Sequence, residues 1–283
     1  MKRFLAALLL VVLMASPAAA GTLKLATWNI YWLTETAHNK RTAADYERLQ
    51  TYAERLDADV IALQEVENEW LLKKVFDPAR YVFEVSTRIG QRDTQKTAFA
   101  IRRGVSYRRL TDNAALNVTG SLRHGTVIEL RRGDQTVDVM AVHMKSGCFA
   151  GDLDQPSKDA CKKLKRQIRP FEAWIHQRIK AGKPFIILGD FNRRLERRGD
   201  DFWREVNDGW PKEIYRIRKG NRHEAECWGG KYGDYIDHVI VGPLSQNYYR
   251  PGSFEELVYD ETDFDAWHKK VSDHCPLSID IRN

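Results

Sequence analysis

After its first twenty residues the chain has no apolar run that approaches the length of a membrane span. It also has no internal repeat, no low-complexity tract and no proline-rich linker. These absences exclude a multi-span membrane protein, a solenoid and a string of modules on flexible tethers. Charge of one sign is lacking too. The 45 Lys+Arg nearly balance the 39 Asp+Glu, for a net +6, which permits a polyanionic substrate but does not demand one. Cysteine is scarce, with four residues and no CxxC or paired-histidine spacing, so no structural zinc site is legible. What is there, 43% hydrophobic and 30% charged residues in 283, describes a folded domain rather than a disordered chain.

The first twenty residues stand apart. Lys2 and Arg3 precede an unbroken apolar run from Phe4 to Met14, and Ala18-Ala19-Ala20 follows. This is the tripartite pattern of a secretory signal peptide with cleavage after Ala20. Eleven apolar residues make about 16 Å of helix, too short to cross a bilayer. We therefore expect a signal peptide over 1–20 and one domain over 21–283. Its net charge falls to +4, because the segment removes two basic residues and no acid. The product is expected in the periplasm or outside the cell, without stable membrane insertion, and as a monomer.

All four cysteines lie beyond the cleavage point, where an even number in an oxidising compartment suggests disulfides. Cys148 and Cys161 flank a short Gly/Asp/Pro-containing segment. Their pairing would staple a local loop and contribute roughly 3 kcal/mol in the chain-entropy model. Cys227–Cys275 follows by elimination.

Short apolar runs alternate with amphipathic stretches, as in α/β proteins. Strands are expected at 23–30, 60–63, 81–86, 97–102, 126–130, 137–142, 185–188, 235–241 and 276–281. A helix is expected from Arg41 to Leu56, with Tyr46, Leu49, Ala53 and Leu56 on one face. A second, capped by Ser157, runs to Lys180 with Leu164, Ile168, Phe171 and Ile175 facing inward. Many strands with few helices fit two packed sheets with helices outside. A single parallel sheet would need more crossover helices.

Polar residues with catalytic potential sit at the ends of these strands. Asn29 lies in Thr-Trp-Asn-Ile, Glu65 follows Ile-Ala-Leu-Gln, and His143 follows Met-Ala-Val. Asp190 and Asn192 follow Ile-Ile-Leu-Gly, Asp237 and His238 follow Tyr-Ile, and Asp273 and His274 precede Cys-Pro-Leu. If the ends converge, they make one pocket of carboxylates, amides and imidazoles. Oxygen donors with few thiols suit a hard cation, and an imidazole beside a carboxylate suits a general base. Together they suit metal-assisted hydrolysis of a phosphate ester. Each residue alone has an ordinary structural explanation: a turn asparagine, a solvated glutamate, a satisfied core histidine.

The segments Thr-Trp-Asn-Ile at 27–30, Leu-Gln-Glu-Val at 63–66, Val-His-Met-Lys at 142–145, Gly-Asp-Phe-Asn at 189–192, Ile-Asp-His at 236–238 and Ser-Asp-His at 272–274 occur in one order. That set resembles the endonuclease/exonuclease/phosphatase superfamily, which includes pancreatic-type DNases, abasic-site endonucleases, bacterial sphingomyelinases and inositol-polyphosphate phosphatases. The resemblance implies a DNase-I-like, four-layered α/β sandwich: two packed mixed sheets flanked by helices. It implies Glu65 as the main metal ligand, with Asn29 and Asp273 beside the same ion, Mg²⁺ or another divalent cation such as Mn²⁺ or Ca²⁺. It implies His274 as general base oriented by Asp237, Asp190 positioning the water, Asn192 donating to the scissile phosphate and His143 stabilising phosphate oxygens. His238, next to Asp237 on a strand, should point the other way and be structural. One departure stands out. Where pancreatic-type DNases support the residue matching His143 with a glutamate, this chain has Gln95, so His143 should be less basic.

Fold analogy cannot choose the substrate. Arg193 and Arg194 directly follow Asn192 and could grip flanking phosphates, and Arg41 could also reach the pocket. Trp267 precedes Ser-Asp-His and could stack on a base or belong to the core. Lys162, Lys163, Lys165 and Arg166 read as a solvated helix face. Glu255, Glu256, Asp260 and Glu261 would repel a polyanion if they faced the pocket. The reading is a secreted, divalent-metal-dependent phosphodiesterase, an endonuclease of DNase type that hydrolyses nucleic-acid phosphodiester bonds with a histidine-activated water. The alternatives are a phosphoesterase acting on a lipid headgroup or small phosphate, and a DNA-binding protein of the same fold without turnover.

Overall fold

The computed structural model describes residues 21–36, 39–90, 93–219 and 224–282. The expected signal peptide over 1–20 lies outside them. Twelve strands are present among the described residues: β1 (Thr22–Leu33), β2 (Val60–Val66), β3 (Tyr81–Val85), β4 (Lys96–Arg102), β5 (Tyr107–Arg109), β6 (Thr126–Arg132), β7 (Gln135–His143), β8 (Phe185–Asp190), β9 (Tyr215–Ile217), β10 (Asp237–Val241), β11 (Glu255–Glu256) and β12 (Leu277–Arg282). They form two six-stranded sheets, in the orders β11-β12-β1-β2-β4-β3 and β5-β6-β7-β8-β10-β9. Both sheets are mixed. β1 and β2 are parallel in one, β7 and β8 in the other, and the remaining pairs are antiparallel.

Strand periodicity sets the layering. In β2, Val60 and Ala62 point between the sheets while Ile61 and Leu63 point outward, the alternation a strand buried on both faces requires. The inter-sheet core joins Leu25, Val60 and Phe99 of one sheet to Ile128, Val139, Ile186 and Val239 of the other. The outer face of the first sheet is covered by helix α1 (Ala43–Leu56) through Leu49, Tyr52, Ala53 and Leu56. The outer face of the second is covered by a longer helix, Asp159–Lys180, through Leu164, Ile168, Phe171 and Ile175. The result is the four-layered sandwich the sequence implied.

α1 ends at Leu56 as expected but starts at Ala43, two residues after Arg41, because Thr42 and Asp45 form a capping box that sets its first turn. The long helix starts after its expected cap: Lys158 occupies the N-cap position and Ser157 lies outside. The short strands β5, β9 and β11 were not legible. Two or three residues are too few to display an alternation, and all three sit at or beside sheet edges where neighbours decide pairing. Both expected disulfides are formed, Cys148–Cys161 and Cys227–Cys275. Among the described residues no helix is long and apolar enough to cross a membrane.

Each parallel pair requires a crossover, and each crossover is one of the two long helices. β1, β2, β7 and β8 therefore end on the same side of their sheets, where open α/β sheets place ligands. The register brings His143 opposite Asp190 on β7–β8 and Asp237 opposite Asp190 on β10–β8. Thr27 pairs with Leu277 on β1–β12, which places the Ser-Asp-His segment beside the end of β1.

Candidate active site

The strand ends line one pocket of about 630 Å³ that contains Asn29, Glu65, His143, Asp190, Asn192, Asp237, Asp273 and His274. Local backbone geometry turns these side chains inward. Glu65 sits in the left-handed region at φ 64°, at the point where β2 slips register against β4. Asn192 does the same at φ 51°, a conformation asparagine tolerates better than most residues. The glycine of Gly-Asp-Phe-Asn is required by a close approach: a Cβ on Gly189 would lie 2.0 Å from the Val142 carbonyl oxygen.

His274 Nδ1 donates to Asp237 Oδ2 at 2.6 Å. Its Nε2 faces the pocket, 3.9 Å from Asp190 and 3.8 Å from Asp273. Burial alone would depress His274, but the Asp237, Asp273 and Asp190 carboxylates outweigh it and hold the imidazole well above its usual value. Asp190 is raised, chiefly by burial. It accepts from the Asn192 backbone N–H at 2.6 Å, from Asn192 Nδ2 at 2.8 Å and from Asn29 Nδ2 at 3.1 Å. The second proton of the Asn192 amide reaches the Met144 carbonyl at a longer 3.3 Å.

His143 Nε2 lies 3.4 Å from Asp190 and 3.8 Å from Glu65, while its Nδ1 is buried without a hydrogen-bond partner. Burial, with Arg123, His274 and Lys145 nearby, pushes it well below the ordinary histidine value. Burial thus disfavours the charged imidazole at His143, and Gln95 on the same pocket wall brings no charge to offset it.

Two groups of donors could hold a cation. Asp190, Asp237 and His274 have ligand atoms within 4.8 Å of one another; hydrogen bonds engage Asp190 and join Asp237 Oδ2 to His274 Nδ1, while Asp237 Oδ1 and His274 Nε2 carry none among the described residues. Glu65 and Asp273 fit better. The backbone N–H of Trp32 donates to Glu65 Oε2 at 2.8 Å, and Asp273 Oδ1 is buried with no hydrogen-bond partner among the described residues, its nearest cationic group being His274 Nε2 at 3.8 Å. Burial and then the charge of Asp273 raise Glu65. Two crowded carboxylates with the Asn29 amide nearby make a hard oxygen set of the kind a divalent cation takes. The sulfurs of Cys227 and Cys275 also approach Glu256, but they are bonded to each other.

Two expected substrate contacts are corrected. Arg193 is 2% exposed. Its Nε donates to Asp200 at 2.6 Å, and its Nη1 donates to the carbonyls of Cys148 and Gly151 at 3.0 and 2.6 Å. Arg41 is 7% exposed and donates to five backbone carbonyls, those of Ile30, Tyr31, Trp32, Lys270 and Val271. Neither lines the pocket. A guanidinium buried to this extent and turned to interior acceptors is not placed to meet a phosphate in the pocket. Arg194 does line the pocket, with its Nε 3.4 Å from Asp234. Trp267 packs on the outer core between Arg48 and Lys270, outside the pocket. Of the acidic patch only Glu256 reaches the pocket wall. Glu255, Asp260 and Glu261 pair with Lys24, Arg55 and Arg48. His238 is buried and its Nε2 contacts the Arg193 carbonyl at 2.8 Å, as a structural residue should.

The structure adds Arg123, which sequence reasoning missed. It is buried on the pocket wall, donates to the Met144 carbonyl at 2.6 Å, and leaves Nε without a partner. Burial lowers it to about 10, against the pull of Glu65 and Asp190. It lies in a loop with no periodicity, among many scattered arginines, so nothing local marks it.

This fold, with an imidazole–carboxylate pair and a hard oxygen set at the sheet ends, defines a class of metal-assisted phosphoester hydrolases. Residues 26–274 match the model of the Endonuclease/Exonuclease/phosphatase family, and the chain belongs to that family of metal-dependent phosphoesterases. No curated protein matched it by sequence. Among solved structures it resembles D. rerio TDP2 complexed with a single-strand DNA product, at 16% identity, TM-score 0.61, 93% of this chain and 99% of that one. It also resembles an endonuclease/exonuclease/phosphatase from Bacteroides vulgatus, at 14% identity, TM-score 0.61 and the same coverage of 93% and 99%. The human Nocturnin catalytic domain with bound sulfate matches at 14% identity and TM-score 0.58, over 92% of this chain and 93% of that one.

Proposed function

We propose that the protein is an exported, divalent-metal-dependent phosphodiesterase that cuts nucleic acid. The observation that carries this reading is the His274–Asp237 pair, with the free edge of the imidazole directed into a pocket that also holds Asp190 and the Glu65–Asp273 pair. Export rests on the N-terminal segment and accords with the two disulfides.

His274 Nε2 takes a proton from the attacking water, while Asp237 fixes the tautomer and stabilises the imidazolium that forms. Asp190 orients the water. Neutral His143 and the Asn192 amide donate to non-bridging phosphate oxygens, and Arg123 places a fixed positive charge behind them. Arg194 meets a flanking phosphate at the rim. When bound by Glu65 and Asp273 with Asn29 beside them, a cation such as Mg²⁺ supplies charge neutralisation to the transition state and to the carboxylates around His274.

The test is nicking of supercoiled plasmid by the processed protein with Mg²⁺, with and without chelator, alongside Glu65→Ala and His274→Ala. The expected result is metal-dependent nicking that falls by about a thousandfold or more in each variant. A folded, metal-supplied enzyme that leaves plasmid and RNA intact would overturn the reading, and sphingomyelin and small phosphodiesters would be assayed next.

A further inference from the structure

Among the described residues, six large hydrophobic side chains are exposed, and two of them, Phe149 at 41% and Tyr232 at 48%, line the catalytic pocket. Both stand on rigid mounts. Phe149 follows Cys148 of the Cys148–Cys161 disulfide. Its own carbonyl accepts from the Arg194 N–H at 2.9 Å. The carbonyls of Cys148 and Gly151, on either side of it, are held by the buried guanidinium of Arg193. Tyr232 lies five residues past Cys227 of the other disulfide. Its ring meets Phe264 edge-on at 5.9 Å. Phe264 stacks on His268 at 4.4 Å, and His268 meets Tyr31 at 5.6 Å. This row of rings forms a wall that returns to the pocket at Tyr31.

The catalytic groups lie deep between these rims: His143, Asp190 and Asn192 are each at most 5% exposed. A phosphodiester can reach them only if its strand enters the pocket, whose volume is that of a small-ligand site. In a duplex the base faces are covered by their neighbours and cannot meet a side-chain ring. In an unpaired strand they can, and each base–aromatic stack contributes measurably to affinity whatever the base.

We propose that Phe149 and Tyr232 stack on unpaired bases flanking the scissile phosphate, which makes this enzyme selective for single-stranded nucleic acid. The inference rests on the reading of the substrate as nucleic acid. The mounts reduce the freedom lost on binding: the backbone that carries Phe149 is held by Arg193 and Arg194, and the Tyr232 ring is held against Phe264.

The test compares kcat/KM on one oligonucleotide sequence in three forms: single-stranded, duplex, and single-stranded with abasic residues on both sides of a single cleavable phosphodiester. DNA and RNA versions are both assayed. The expected result is a preference for the single strand of at least tenfold over the duplex and over the abasic-flanked strand. Phe149→Ala and Tyr232→Ala each lower that preference about tenfold, while Tyr232→Phe, which keeps the ring, retains it. Circular dichroism confirms folding, which substitution at these exposed positions should not disturb. Equal rates on all three forms, or a preference unchanged in both alanine variants, overturn this inference and leave the nuclease reading standing. Failure to cleave any form of DNA or RNA overturns the reading beneath it.

Discussion

Two buried arginines fasten the two halves of the site, and they do so differently. Arg41 serves the β1–α1–β2 half. Among the described residues it has no carboxylate partner, and it spends its protons on five carbonyls. It ties the left-handed turn at Tyr31 and Trp32, with φ 49° and 45°, to the segment just before Asp273 and His274. Trp32 in turn donates to Glu65. Arg193 serves the β7–β8 half. It is held by a buried ion pair with Asp200, and it pins the loop that carries Phe149. A guanidinium held by main-chain carbonyls depends on backbone shape alone, whereas one held by a carboxylate depends on another side chain that can itself be changed.

That difference is testable, and the largest expected effect is on stability. Arg193→Ala leaves the Asp200 charge buried and should cost about 3–5 kcal/mol. The double variant Arg193→Met/Asp200→Asn, which removes both charges and keeps an acceptor for the Trp203 N–H that Asp200 caps, should recover part of that loss in urea unfolding. Arg41→Ala should cost a comparable amount by stranding several carbonyls, and no second side-chain change should restore it. Full recovery of an Arg41 variant by a single second-site substitution would break the contrast.

A smaller effect follows from His238, which contacts the Arg193 carbonyl and so belongs to the second half only. Burial lowers it to about 4, against the pull of that carbonyl and of Asp237. The neutral form is the folded one, so its contribution is complete above the unfolded value near 6.5 and is lost as pH falls towards 4. The loss should approach about 3 kcal/mol, and His238→Gln should flatten this part of the acid limb in melting curves from pH 7 to 4. An unchanged acid limb would remove His238 from the account.

The smallest effect is expected at Arg194, whose side chain is 28% exposed beside Asp234. Arg194→Ala should raise KM on nucleic acid a few-fold and reduce the slope of log(kcat/KM) against log[salt] by about one. The melting temperature should barely move. The adjacent Arg193 should behave in the opposite way, which makes the pair a direct comparison of an arginine facing the substrate and one facing the interior.

Much of the site was legible because its residues stand at the ends of apolar strands, where a polar side chain interrupts an otherwise buried run. Asn29, Glu65, His143, Asp190, Asp237 and His274 all carry that mark, and the structure brings them into one pocket. Arg41 and Arg193 were misread because the sequence around each is that of an exposed basic residue. The acceptors that draw Arg193 inward lie seven residues away at Asp200 and 42 away at Gly151. Those of Arg41 extend 230 residues away to Val271. Arg123 and the rim aromatics were missed for the same reason, since loops without periodicity give no sign of what they face.

By itself, the sequence determined the strand and helix periods, the order of the motifs and hence the layered fold, because period-two and period-3.6 patterns are local properties of the chain. Only the tertiary structure decided which strand ends meet, which carboxylates share a cation site and which arginines face substrate. Those depend on register and on non-local partners, and burial rather than residue type decides whether a charge is a fastening or a tool.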